Sequence, residues 1–167
     1  MAESRYEKYI VRKPAVLTED GQAEVPERID VEGLVDTGPL ILCASKLIKE
    51  ATSSVSFGII SGDITVGTGP GRLQPHKHDY DELFLFVGTN PKNISDLGAE
   101  AEFWLGEGEE LEKVVLNTSS SVYVPAGVAH FPLTWRNVKR PIIFVVITCN
   151  PPVEPILKPA SLEGRPM

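Results

Sequence analysis

From Pro39 to Asn150 the chain is a succession of short apolar runs cut apart by turn residues, and none repeats at the 3.6-residue period of a helix. The runs are L-I-L-C-A-S-K-L-I, S-V-S-F-G-I-I-S, D-I-T-V, L-F-L-F-V, A-E-F-W-L, K-V-V-L, S-V-Y-V, F-P-L-T-W and P-I-I-F-V-V-I-T. Several alternate, with Ala101, Phe103 and Leu105 on one face against Glu102 and Trp104 on the other, as half-buried antiparallel strands require. Between them sit G-D, G-T-G-P-G, G-T-N-P-K-N and G-E-G-E-E, whose glycines and asparagines tolerate the positive φ of tight turns. The expectation is an all-β fold, a barrel or a sandwich.

At 167 residues the chain closes one hydrophobic core, and a single domain is expected: an N-terminal arm over 1–38, a barrel over 38–150 and a tail over 151–167. The arm mixes charge with Pro14 and Pro26, and the tail carries five prolines, so neither supplies a central strand. A net charge of −7 with no run of Lys and Arg argues against nucleic acid and anionic lipid as partners. No stretch approaches the ~18 apolar residues of a membrane span, and the charged N-terminus does not read as a signal peptide. Cys43 and Cys149 lie far apart without a C-x-x-C spacing and read as free thiols. These features place the chain in the cytoplasm.

The chain has three histidines, and two of them, His76 and His78, stand one residue apart on the way into the strongest apolar run. In a strand, residues i and i+2 share a face, so both imidazoles can turn toward one point, and Glu82 has the same parity. His130 follows Pro125-Ala126-Gly127, where the proline suits the first turn position and the glycine the fourth. Neutral imidazoles with one carboxylate suit a divalent transition metal: zinc, iron, manganese, nickel or copper. A solitary histidine on a sheet edge needs no such explanation; H-x-H-x3-E followed by P-A-G-x2-H does.

These two segments resemble the two motifs of the cupin superfamily, written G-x5-H-x-H-x3,4-E-x6-G and G-x5-P-x-G-x2-H-x3-N. Here the first is Gly71, His76, His78, Glu82 and Gly88, with each glycine spacer one residue short. The second is Pro125, Gly127 and His130, with Ser119 in place of the opening glycine and Thr134 in place of the closing asparagine. The run D-L-G-A-E-A-E-F-W-L-G-E-G-E-E is similar to small single-barrel cupins. The resemblance implies a double-stranded β-helix, that is, a six- to eight-stranded jelly-roll barrel, with one divalent metal per chain inside one mouth, Fe2+ or Mn2+ ahead of Zn2+, Ni2+ or Cu2+.

Parity extends the site to a pocket. Arg72 and Gln74 are expected on the inward face of His76, Phe84 and Phe86 on that of Glu82, and Pro132 and Thr134 on that of His130. Arg72 has the fork to clamp a substrate carboxylate. Asp79, Asp81 and Lys77 fall on the other parity, Tyr80 and Tyr123 are phenols within reach, and Glu107, Glu109 and Glu110 read as a solvated turn. Three imidazoles and a carboxylate leave two cis positions of an octahedron for a small oxygenated substrate, alone or with O2. With no second carboxylate in the assigned pocket to act as a base, a non-haem dioxygenase with Glu82 as its catalytic ligand is the leading expectation. A metal-dependent isomerase, decarboxylase or lyase and a non-catalytic metal- or ligand-binding barrel are the alternatives. Because such barrels must shield their edges, the arm is expected to cross a two-fold axis in a homodimer.

Overall fold

The computed structural model describes residues 5–17, 23–24, 40–67, 74–152 and 158–165. Its strands, in chain order, are β1 (Val16–Leu17), β2 (Ala23–Glu24), β3 (Leu40–Cys43), β4 (Ser53–Ile60), β5 (Ile64–Val66), β6 (His76–Lys77), β7 (Asp81–Gly88), β8 (Asp96–Leu105), β9 (Glu112–Thr118), β10 (Ser120–Val124), β11 (His130–Arg136), β12 (Ile142–Cys149) and β13 (Lys158–Pro159). One sheet runs β10-β7-β12-β4-β3. The other runs β13-β6-β11-β8-β9, with β5 also on β11. Every strand pair is antiparallel. Successive strands alternate between the sheets over much of the chain, the order of a double-stranded β-helix. No helix among the described residues is long and apolar enough to cross a membrane.

The core lies between the sheets and is aromatic. Phe84, Phe86, Phe103 and Trp135 are essentially inaccessible, with Phe131 and Phe144 against them. Phe86 packs 5.3 Å from both Trp135 and Phe144, in tilted arrangements that suit ring quadrupoles. In the first sheet the inward rows are Phe86–Phe144–Gly58, then Phe84–Val146–Ser56, then Glu82–Thr148–Ser54, so the face turns polar at one end. The outward rows remain apolar: Val87–Ile143–Ile59, Leu85–Val145–Phe57 and Leu83–Ile147–Val55. Ile59, Val87 and Ile143 are 38–39% exposed.

Some expected strands differ in extent. The run 40–48 is extended only to Cys43, because Leu47 and Ile48 both bond back to the Ala44 carbonyl and coil the remainder. β8 begins five residues before A-E-F-W-L and takes a register shift to do so. Ala15 forms a bridge to Ile41, so the described part of the arm lies along β3. The tail contributes β13, an edge strand on β6, where a proline costs no ladder bond.

Candidate metal centre

The four ligand candidates come from both sheets. His76 in β6 and His130 in β11 are cross-strand partners, whereas Glu82 lies in β7 of the opposite sheet. His78 sits in the short connection between β6 and β7. The sequence reading laid 76–82 along one strand; the chain leaves β6 after Lys77 and crosses to the other sheet before Asp81. The crossing lets residues of one segment face each other across the barrel.

All four side chains are buried, with His130 at 0% and Glu82 at 7% exposure. One nitrogen from each of His76, His78 and His130 lies within 4.8 Å of the others. Each Nδ1 is occupied by a main-chain carbonyl: Gln74 at 2.6 Å for His76, Tyr80 at 2.7 Å for His78 and Val128 at 3.1 Å for His130. Since a carbonyl only accepts, each Nδ1 carries a proton, which leaves each Nε2 as the atom available to a metal. Among the described residues, the Nε2 atoms of His78 and His130 are buried without a well-formed hydrogen bond, although the Glu82 Oε2 stands 3.3 and 3.2 Å from them. Three imidazoles gathered around a buried carboxylate favour a cation, proton or metal, in their midst. A group of this composition could hold one divalent metal.

The electrostatics point the same way. Burial, and then His130, lower the His76 pKa to about 4, which keeps the ring neutral at physiological pH. Burial alone would raise the Glu82 carboxyl; His130 and His78 beside it outweigh burial and hold it down at about 2, so it is ionised. Tyr80, stacked on His78 with centroids 3.8 Å apart, is pushed up to about 12 by burial and by the Glu82 and Asp79 charges. It wedges the His78 ring and is a poor proton donor near neutrality.

Local structure sets the ligands. Val128 N donates to the Pro125 carbonyl at 3.1 Å, which makes Gly127, with φ +86°, the third residue of the turn and not the fourth. The turn is tied to the β6–β7 connection by Gly127 N to the His78 carbonyl at 2.7 Å and Ala126 N to the Asp81 carboxylate at 2.9 Å. His130 and His78 are therefore positioned by one hydrogen-bonded unit.

The expected pocket changes in composition. Arg72 lies outside the described residues. The Gln74 side chain is exposed rather than lining the pocket, and the residue serves the site through its carbonyl. Phe84 forms the floor, its ring 5.6 Å from that of His130, and Phe86 lies one row deeper in the core. Thr134 does not share the face of His130: the register shifts between His130 and Leu133, which puts Leu133 and Trp135 inward and pairs Thr134 with Glu102 on the outer side. There its hydroxyl bonds to Thr65 at 3.1 Å. The extra residue at the shift reverses the parity that an unbroken strand would give. Sequence reasoning missed Thr148, directly opposite Glu82 on β12, whose buried hydroxyl has no partner among the described residues. It also missed Glu107, which is no solvated turn residue: it pairs with Lys77 and accepts from Ser161 N at 3.3 Å.

No protein-family model matches the chain, and no curated protein matches it. Among solved structures it is similar to the capsular polysaccharide assembling protein CapF from Staphylococcus aureus (TM-score 0.49, 14% identity), over 74% of this chain and 30% of that one. It is likewise similar to an uncharacterised conserved protein with a double-stranded β-helix domain from Klebsiella pneumoniae (TM-score 0.47, 15% identity), over 80% and 97% of the two chains. Oxalate oxidase gives a TM-score of 0.48 and 17% identity over 72% of this chain and 53% of its own. The chain thus spans under a third of CapF and about half of oxalate oxidase. The interleaved strand order, which brings the two motif-bearing segments together between facing antiparallel sheets, is that of a double-stranded β-helix.

Proposed function

We propose that the chain binds one divalent transition metal through His76, His78, Glu82 and His130 and acts on a small oxygenated organic substrate as a non-haem dioxygenase. The observation that carries this reading is the convergence of three buried imidazoles, each fixed through Nδ1 to a backbone carbonyl, around a buried ionised carboxylate. When bound, Fe2+ or Mn2+ supplies a redox-capable Lewis acid with positions open to a substrate oxygen and to O2. The chain's own groups hold and shape the site: the carbonyls fix the rings, Phe84 closes the floor and Tyr80 braces His78. Of the neighbouring carboxylates, Asp79 is exposed and Asp81 is engaged by Ala126, which among the described residues leaves no second carboxylate to serve as a general base and favours oxygen chemistry over isomerisation.

Metal analysis of protein purified without oxygen, followed by O2 uptake against diketones, catechols and thiols, tests the reading. One metal per chain is expected, and His76→Ala or His130→Ala should remove most of it. Unchanged metal content in both variants would remove the site. Metal without turnover of any compound would favour the non-catalytic binding barrel.

The chain forms a homodimer in this reading, supported by the three apolar rows on the outer face of the first sheet. The arm first expected to make the dimer lies mostly outside the described residues. Free Cys43 and Cys149 suit a reducing cytoplasm.

A further inference from the structure

The tail reads in sequence as a trailing, proline-rich end, yet it is built into the strands that carry two of the ligands. β13 pairs with β6 through Pro159 opposite His76 and Lys158 opposite Lys77, and Ala160 N donates to the Pro75 carbonyl at 2.9 Å. Ser161 N reaches the Glu107 carboxylate, which also holds Lys77. The segment then turns back, and Arg165, only 7% exposed, enters the protein. Its Nε donates to the Ser161 carbonyl at 3.0 Å, and its two terminal nitrogens donate to the carbonyls of Phe131 and Gly106.

Those two carbonyls have a particular place. Phe131 follows His130 at the point where β11 slips register against β8 and takes φ +74°. Gly106 follows directly on the end of β8, the strand that faces β11 there, and its N–H bonds to the Ala129 carbonyl at 2.7 Å. A bulged residue falls out of the ladder, so its backbone groups need donors from elsewhere. Arg165 supplies them with a planar fork that grips both strand ends at once, and burying a guanidinium is tolerable only with such acceptors in place. The register slip is also what aims His130 inward.

We propose that Arg165 is a positioning residue for the metal centre: by bridging the Phe131 and Gly106 carbonyls it holds the β11 bulge in the form that directs His130 toward His76 and His78. Segment 158–165, which flanks β6 and clasps β11, is thereby a working part of the site. The inference rests on the metal-binding reading above.

The test uses the full chain with Arg165→Met and Arg165→Lys, and with Leu162→Ser as a control, since Leu162 is in the same segment and 52% exposed. Co2+ is titrated by absorption. The imidazole resonances of the metal-free protein are recorded in parallel; with three histidines in the chain, all of them in the site, every signal reports on it. Arg165→Met should weaken Co2+ binding by about tenfold to a hundredfold without changing its stoichiometry at saturation, and should shift the His130 ring signals more than those of His78. Arg165→Lys, able to reach one carbonyl but not both, should fall between, and Leu162→Ser should match the wild type. If Arg165→Met does not fold, Arg165→Lys is read in the same two ways. Co2+ affinity within about twofold of wild type with unmoved His130 signals would overturn the proposal. If the wild type takes up no Co2+, the metal-binding reading itself falls, and the imidazole spectra alone decide whether Arg165 sets the His130 ring.

Discussion

At the scale of single residues, the site is defined by which nitrogen carries a proton. Three backbone carbonyls hold the Nδ1 protons of His76, His78 and His130, and the consequence is that Nε2 is the atom each ring offers to a metal. Glu82→Gln removes the charge while keeping shape, so the variant should retain a substantial share of metal through its imidazoles and lose turnover; full activity with normal metal content would show that the carboxylate has no chemical part. A pH dependence follows from the two shifted groups. Between about pH 6.5 and 4 the unfolded chain protonates His76 while the folded chain resists, and between pH 4.5 and 2 the same holds for Glu82. Both slopes have one sign, so the metal-free protein should lose stability steadily on acidification. His76 contributes on the order of 3 kcal/mol. Urea midpoints in chelator at pH 7, 5.5 and 4.5 check this, with His76→Phe as the variant whose profile should be flatter. The gathering of His76, His78, Glu82 and His130 was legible because H-x-H-x3-E and P-A-G-x2-H are local spacings. Thr134 was misplaced and Thr148 overlooked because face assignment depends on strand register, which a single extra residue reverses.

At the scale of elements, two connections do most of the placing. The 125–128 turn depends on Gly127 at φ +86°, and a Cβ there would meet nothing within 4 Å, so the cost of a side chain is conformational alone. Gly127→Ala should therefore lower stability by about 1–2 kcal/mol and weaken metal binding with it, because the turn carries the hydrogen bond to the His78 carbonyl; thermal melts with and without metal separate the two effects. The opposite case is Gly88, where a Cβ would lie 2.1 Å from the Asp96 carbonyl oxygen, so the backbone itself excludes a larger residue. Ser119, standing where the motif has its opening glycine, ties the end of β7 by accepting from Gly88 N at 2.9 Å and donating to the Ile94 carbonyl at 2.6 Å. Strands with strict alternation or dense β-branching, such as β4, β7 and β12, were readable from composition. β6 and β13 were not, because a two-residue strand has no period and is defined only by its neighbour.

At the scale of the whole molecule, the outer face of the first sheet shows what the core alone does not. Three rows of three apolar side chains face outward, an arrangement expected of a surface that meets another. Ile143→Glu, in the middle strand of the most exposed row, should convert a dimer to a monomer by light scattering at micromolar concentration while leaving metal content unchanged; a wild type that is already monomeric would sink the dimer. The all-β class was legible, since nine runs without helical period admit little else, whereas the fate of the tail was not: its prolines excluded a central strand and said nothing of Arg165. One feature of the architecture reaches beyond chemistry. His76 and His130 belong to one sheet and Glu82 to the other, so the proposed ion, if held by all three, would act as a rivet through both walls of the barrel. Starving the protein of metal would then loosen the structure from the mouth downward, with the aromatic floor the last part to open.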